Sequence, residues 1–282
     1  MNLKISIVGA NGFIGSNLSK KLSDLNFELE LFHQSYPIVT NGELNPSARN
    51  SDVIIWCAST VNPISASNNP HLVANEFAYW GEFLNLLHSS GNRALKVIFL
   101  SSGGCTYSGD VIPFTETDDA FGTNLYGKLK LQMEFTLIES GIDWIILRIA
   151  NVYGPSQPAG RGQGVIAEWV NSISKGRPLS VYGEMDSFRD YIYVEDLSYA
   201  IYALLNSGVK NQTFNIGSGD VTTLHELKEL FSELAEIEIS TVVSTPRGID
   251  RQGYVLNIDK ISRAIDWAPK FTLREGIRIC LK

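Results

Sequence analysis

The segment that most restricts the fold is Gly9-Ala10-Asn11-Gly12-Phe13-Ile14-Gly15, directly behind Leu3-Lys4-Ile5-Ser6-Ile7-Val8. The run before it is short, apolar and rich in β-branched residues, as a buried parallel strand is. After it, Phe13, Ile14, Leu18 and Leu22 recur at helical spacing. The glycines, spaced G-x-x-G-x-x-G, therefore sit on a strand-to-helix turn. Bringing backbone N–H groups onto a pyrophosphate needs a tight turn of small residues, and the helix N-terminus adds its positive dipole end. Such a turn binds a dinucleotide. Its usual companion is an acid about 20 residues further on, hydrogen-bonded to the adenosine ribose. Here the second strand, Glu28-Leu29-Glu30-Leu31-Phe32, ends in His33-Gln34-Ser35, with neither that acid nor an arginine for a 2′-phosphate. NAD and NADP both stay open.

Strand-like runs at 3–8, 28–32, 52–57, 95–101 and 142–149 alternate mostly with helical patterns. That alternation predicts right-handed βαβ crossovers and an α/β, Rossmann-type doubly wound parallel sheet. Residues 1–153 form the dinucleotide-binding domain on this reading. A polar, glycine- and proline-rich loop from Gly154 to Gly162 then leads into a smaller C-terminal substrate lobe, 154–282. One segment near 194–217 returns to the first domain, with Asp196 placed to cap a helix leading into the strand Thr213–Ile216.

Length and composition narrow the class. A chain of 282 residues, 44% hydrophobic, can bury one substantial core. A net charge of −7 argues against a nucleic-acid or anionic-membrane surface. Three scattered cysteines suggest a reducing compartment and neither disulfides nor a metal site. No apolar run approaches a membrane span, and the first strand begins almost at Met1, so a cytoplasmic location is expected.

The second informative segment is Tyr126-Gly127-Lys128-Leu129-Lys130, within an amphipathic pattern from Thr123 to Glu139. Tyr126 and Lys130, four apart, share one helix face. A phenol with a reference pKa of about 10 is a poor base at neutral pH. A neighbouring ammonium and a positively charged nicotinamide ring both favour phenolate, and a shift of about three units needs roughly 4 kcal/mol. The strand Val97-Ile98-Phe99-Leu100 precedes this helix and ends in Ser101-Ser102-Gly103-Gly104. Its hydroxyls lie at the carboxyl end of a parallel strand, where such sheets bind ligands.

With these segments the chain resembles the extended short-chain dehydrogenase/reductases, specifically the NAD-dependent epimerase/dehydratase family, and within it the UDP-sugar 4-epimerases. The likeness extends through Leu147-Arg148-Ile149-Ala150-Asn151-Val152-Tyr153-Gly154-Pro155, Gly164-Val165-Ile166, Val181-Tyr182-Gly183, Arg189-Asp190-Tyr191-Ile192-Tyr193-Val194-Glu195-Asp196 and Asn215-Ile216-Gly217. The resemblance implies a catalytic set of Tyr126, Lys130 and Ser102, with Ser101 and Thr106 as alternative hydroxyls. It implies NAD contacts from Gly9, Asn11, Gly12, Phe13, Ile14, Gly15, His33, Ala58, Ser59, Asn75, Ser101, Tyr126, Lys130 and Ile149. A nucleotide sugar, UDP-linked, would be held by Asn151, Val165, Tyr182, Arg189, Arg247 and Asp250. The arginines suit a diphosphate because a planar guanidinium grips it bidentately.

Two departures qualify the resemblance. Related sugar 4,6-dehydratases carry an Asp-Glu pair after the hydroxyl, where this chain has Gly103-Gly104-Cys105. A neutral strand end lacks the acid/base groups for dehydration. The expected reaction is therefore a redox-neutral 4-epimerisation through a 4-keto sugar, with one-way reduction of a nucleotide-linked 4-keto sugar by NADPH as the alternative. Residues 35–50 are also short and rich in breakers, where relatives have a further helix and strand, so a looser adenosine end is expected. Finally, Phe77, Tyr79, Trp80, Phe83 and Leu84 on one helix, with Leu129, Met133, Phe135 and Leu137 on another, exceed a single apolar stripe. A homodimer pairing these two helices is expected.

Overall fold

In a computed structural model of the chain, residues 3–92, 95–109, 112–160, 162–245 and 251–282 are described. Strand β1 (Lys4–Val8) runs into helix α1 (Phe13–Asp24) and then β2 (Glu28–Phe32). A small hairpin, β3 (Val39–Thr40) and β4 (Glu43–Leu44), and the single turn α2 (Pro46–Arg49) lead to β5 (Val53–Trp56). Helices α3 (Pro63–Asn68) and α4 (Pro70–Ser89) precede β6 (Lys96–Ser102). The short turn α5 (Gly103–Thr106) and helix α6 (Leu125–Glu139) follow, and then β7 (Asp143–Ile149). The remainder interleaves β8 (Asn151–Tyr153), α7 (Val165–Ser174), β9 (Leu179–Tyr182), β10 (Phe188–Arg189) and β11 (Tyr191–Tyr193). After these come α8 (Val194–Asn206), β12 (Gln212–Ile216), β13 (Thr222–Thr223), α9 (Leu224–Ala235), β14 (Thr241–Ser244), α10 (Asp259–Ile265) and α11 (Leu273–Cys280).

Six strands form one parallel sheet in the order β12-β7-β6-β5-β1-β2. The chain leaves β1 toward β2 and later returns to β1's other side with β5, so the strand order reverses there. Ligand crevices of doubly wound sheets open at the carboxyl ends of such strands. The central strands read as unbroken apolar runs because both faces are covered. Along β6, Ile98 and Leu100 join Leu18, Leu22, Leu197 and Ile201 beneath α1 and α8. Val97 and Phe99 join Trp80, Phe83, Leu129 and Met133 beneath α4 and α6. A separate cluster with Trp169, Val181, Tyr191, Leu227, Phe231 and Ile277 fills the C-terminal lobe.

Three expectations change. Asp196 does not cap α8, whose N-cap is Tyr193 without a side-chain cap bond. Its buried carboxylate instead accepts from the backbone N–H groups of Lys270 and Phe271 at 2.9 and 3.1 Å. It thereby docks the segment leading into α11, a long-range role that local capping logic does not see.

The 35–50 stretch is not loose. Asn41 and Gly42, with φ of 53° and 75°, close the hairpin, and Ile38, Leu44 and Ala48 are buried against the α4 layer. The surplus apolar surface on α4 and α6 is also mostly internal. Trp80, Phe83, Leu84, Leu129, Met133 and Leu137 are all buried in the chain's own core, whereas Phe135 is 66% exposed. Dimerisation through these helices loses most of the apolar surface on which the expectation rested.

Candidate active site

The glycine turn is built as a cradle. Gly9 takes φ +87°, a region open to glycine. The N–H groups of Gly9 and Ala10 both donate to the Phe32 carbonyl, at 2.9 and 3.0 Å, fixing the turn to the end of β2. A Cβ at Gly9 would stand 2.8 Å from the Ala58 nitrogen, and one at Gly15 would collide with the Gly9 carbonyl. Gly12 is the N-cap of α1 and offers no side-chain bond to the first turn. The first N–H groups of the helix are thus open to an anion. Asn11 and Gly12 are exposed at the mouth, and Phe13 and Ile14 are half-buried. This arrangement fits the pyrophosphate of a dinucleotide.

At the end of β6 the three candidate hydroxyls separate. Ser101 is buried and donates to Glu134 Oε1 at 2.5 Å. Thr106 is fully buried and donates to the Ser102 carbonyl. Ser102 alone of the three lines the main cavity, together with Tyr126. The two glycines after it have a packing reason. A Cβ on Gly103 would stand 2.6 Å from Leu256 Cδ1, and one on Gly104 2.6 Å from Tyr254 Cε1. The space that an acidic pair would need is filled by residues 254–256.

Helix α6 presents the tyrosine and lysine. Asn124 caps it by accepting from the Gly127 N–H at 2.9 Å. Lys130, 2% exposed, holds its ammonium 5.4 Å from the centre of the Tyr126 ring and 5.2 Å from that of Phe99. Its ion-pair partner is Glu76 of α4, at 3.8 Å. Burial pushes the Tyr126 phenol far above its ordinary range, with Cys105 and Glu76 adding to the rise. Burial likewise lowers the Lys130 ammonium, opposed by Glu76 and Glu134. The sequence argument counted only the charges that favour phenolate; the folded chain adds desolvation and a carboxylate that oppose it.

One turn beyond Lys130, the buried Glu134 carboxylate accepts from Arg148 Nη2 at 2.8 Å and from its Nε at 3.2 Å. Arg148 in turn lies 4.9 Å from the centre of the Tyr107 ring, and Tyr107 donates to Asn215 at 2.7 Å. Hydrogen bonds and charge from Glu134 hold the Arg148 guanidinium above its ordinary value against its burial.

A cavity of about 570 Å³ opens beside Tyr126. Ser102, Tyr126 and Ile149 line it, as do Asn151, Val165, Tyr182 and Arg189. Asn151 is fixed by pairing of β8 with β11 and donates its amide to the Asp190 carbonyl at 3.1 Å. Tyr182 is 45% exposed at the cavity wall. Arg189 is already engaged: Nη1 donates to the carbonyls of Phe188 and Gln252 at 2.7 and 3.0 Å, and Nη2 to that of Arg251 at 2.9 Å. These bonds use three of the five guanidinium N–H groups.

Beneath it the fully buried Asp190 accepts from Ser218 N and Oγ at 2.7 and 2.8 Å, and from the Gly219 and Leu256 N–H groups. This carboxylate ties together the chain at Asp190, Ser218–Gly219 and Leu256.

Other expected contacts lie elsewhere. His33 stands at the end of β2 with Nδ1 3.4 Å from Ser35 Oγ. Ala58 abuts the glycine turn. Ser59 donates to Glu76 at 2.7 Å, and Asn75 points outward, exposed, on α4. Arg247 and Asp250 fall outside the described residues.

Sequence reasoning missed Glu76, Glu134 and Arg251. Arg251 lines the cavity, donates to the Tyr107 and Gly109 carbonyls at 3.0 and 2.7 Å and lies over the Phe114 ring. Its position between Asp250 and Gln252 gave no local signal of this. Among the described residues no cluster suited to a metal ion occurs, and no helix is long and apolar enough to cross a membrane.

Comparisons with known proteins bear on this geometry. The dTDP-4-dehydro-6-deoxyglucose reductase of Escherichia coli is 32% identical over 242 residues, 84% of this chain and 76% of the reductase. A putative UDP-glucose 4-epimerase of Methanocaldococcus jannaschii is 26% identical, over 97% of this chain and 96% of its own length. Among solved structures, the UDP-glucose 4-epimerase of Thermotoga maritima with UDP-glucose superposes with a TM-score of 0.84 at 25% identity, covering 99% of this chain and 97% of that one. Residues 5–217 match the model of the NAD dependent epimerase/dehydratase family. With the glycine cradle, the Tyr126–Lys130 helix and the parallel sheet already in view, this match makes the chain a member of that family.

Proposed function

We propose that the protein is a nucleotide-sugar 4-epimerase, acting on a UDP-linked hexose or N-acetylhexosamine with NAD held throughout the cycle. The observation that carries this reading is the single cavity in which Ser102 and Tyr126 meet Asn151, Tyr182 and Arg189. Hydroxyl chemistry and phosphate-gripping groups share one space. The family membership and the full-length epimerase relatives support it. The packed space beside Gly103 and Gly104 speaks against dehydration.

Bound NAD supplies a hydride acceptor that gives the hydride back. The remaining work falls to the chain. Tyr126 takes the proton from the sugar 4-hydroxyl and returns it after the sugar has turned. Ser102 donates a hydrogen bond to the same oxygen as it becomes a carbonyl. Lys130 supports the phenolate by charge and holds the nicotinamide ribose. Asn151 and Arg189 grip the diphosphate, so that the sugar pivots about a fixed tether. Tyr182 stacks on the base, and Val165, Arg247 and Asp250 complete the nucleotide end.

A second reading, one-way reduction of a nucleotide-linked 4-keto sugar by NADPH, is favoured by His33-Gln34-Ser35 at the end of β2, where no carboxylate awaits the adenosine ribose. The reductase relative agrees with it. The nucleotide released from purified, denatured protein separates the two. Near-stoichiometric NAD is expected; a nucleotide-free protein that takes up NADPH would replace the epimerase with the reductase.

Arg189 gives a second check. Arg189→Lys is expected to weaken UDP nearly as much as Arg189→Ala, by roughly 1.5–3 kcal/mol, the range for a hydrogen bond to a charged group. An ammonium cannot reproduce two parallel donors. NAD affinity should be spared, because the glycine turn belongs to the other end of the site. Calorimetric titration of UDP and NAD against both variants reads this directly. Parent-like UDP affinity in both would remove Arg189 from the diphosphate site.

A further inference from the structure

We infer that Glu76 is a positioning residue that holds the Lys130 ammonium beside the Tyr126 ring and locks it to the Ser59–Val61 segment behind β5. The inference rests on the reading of Tyr126 and Lys130 given above and extends it to a group on a different helix.

The geometry is specific. Glu76 and Lys130 side chains are 6% and 2% exposed, with Oε1 and Nζ 3.8 Å apart. Glu76 Oε1 also accepts from Ser59 Oγ at 2.7 Å. Oε2 accepts from Thr60 N and Oγ1 at 2.6 and 2.7 Å and from Val61 N at 3.2 Å. A carboxylate bonded by so many donors is fixed in place. A buried ammonium without such a partner would lose its proton or unsettle the helix.

The other groups near the pair are few. Glu134 faces Lys130 from α6 itself, and Cys57 faces it from the end of β5. Cys105 of α5 faces Tyr126. Glu134 is already bonded to Arg148 and Ser101. Glu76 is therefore the carboxylate that balances Lys130, and it opposes phenolate formation at Tyr126 by the same charge.

Without Glu76 the Lys130 ammonium loses its charge or its place beside the ring, and the support it gives a phenolate goes with it. The direct push of Glu76 on the Tyr126 phenol is the smallest of the effects raising it. Glu76→Gln keeps the shape of the side chain. Its amide oxygen can still accept from Thr60 and Val61 while the NH2 faces Ser59. In NAD-loaded protein, the tyrosinate absorbance titration of Tyr126, isolated by subtracting the same protein carrying Tyr126→Phe, is expected to move up by about one pH unit or more. Should Glu76→Gln not fold, Glu76→Asp draws the charge back by one methylene and should move the curve the same way by less.

A folded variant whose midpoint stays in place or falls overturns the inference, as does a loss of melting temperature with an unchanged curve. The measurement needs no sugar substrate. A shifted curve in a protein without nucleotide-sugar turnover would sink the functional reading alone. Parent-like turnover with an unmoved curve would sink the role of Glu76 alone.

Discussion

Replacing Tyr126 by phenylalanine is expected to slow hydride transfer at least about a hundredfold, the usual scale for loss of a general base. The ring stays and only the hydroxyl goes. Tyr126 is half-buried at the cavity wall, and none of the hydrogen bonds described runs through its hydroxyl. Folding and nucleotide-sugar affinity should therefore change little. Single-turnover reduction of bound NAD by a nucleotide sugar isolates the chemical step, and calorimetry gives the affinity. Unaltered turnover would remove Tyr126 from the mechanism; turnover lost together with affinity would make it a packing residue instead.

The second large effect concerns stability. Glu134→Ala leaves the Arg148 guanidinium buried without its counter-ion and strips Ser101 of its acceptor. Breaking one side of a buried pair costs about 3–5 kcal/mol. The midpoint of urea unfolding should fall accordingly with little change in slope. Replacing both partners, Glu134→Leu with Arg148→Met, should recover most of the loss, because apolar groups of similar volume need no counter-charge. If the double variant is as unstable as the single, the cost lies in packing and not in the orphaned charge.

What the sequence made legible, and what it hid, follows from how local each signal is. The glycine turn, the apolar strands and the Tyr126–Lys130 face are each written within a few residues, and the parallel sheet with its helices emerges as expected. Glu76 was invisible because its meaning depends on Lys130, on another helix and far along the chain. Its neighbour Asn75, named by resemblance, lies exposed beside it, since adjacent helical residues point to different sides. Asp196 carried a capping signature, but its partners at Lys270 and Phe271 lie in a segment that no local rule connects to it. Arg189 was legible as a guanidinium, whereas two of its three carbonyl partners are in place only once residues 251–252 have packed against β10.

The late arrival of β12 bears on how the chain must be made. This strand pairs with the last five residues of β7, from Gln212 opposite Ile145 to Ile216 opposite Ile149. Until residue 216 has left the ribosome, β7 presents Ile145, Ile146, Leu147 and Ile149 on an open parallel edge, a template for pairing with other chains. Helix α8, which packs with Leu18 and Leu22, is missing too until residue 206 has emerged. The boundary expected at Tyr153 therefore does not divide the folding of the molecule: a fragment cut there would carry the glycine cradle and Tyr126 on a sheet whose β7 edge has lost its partner strand.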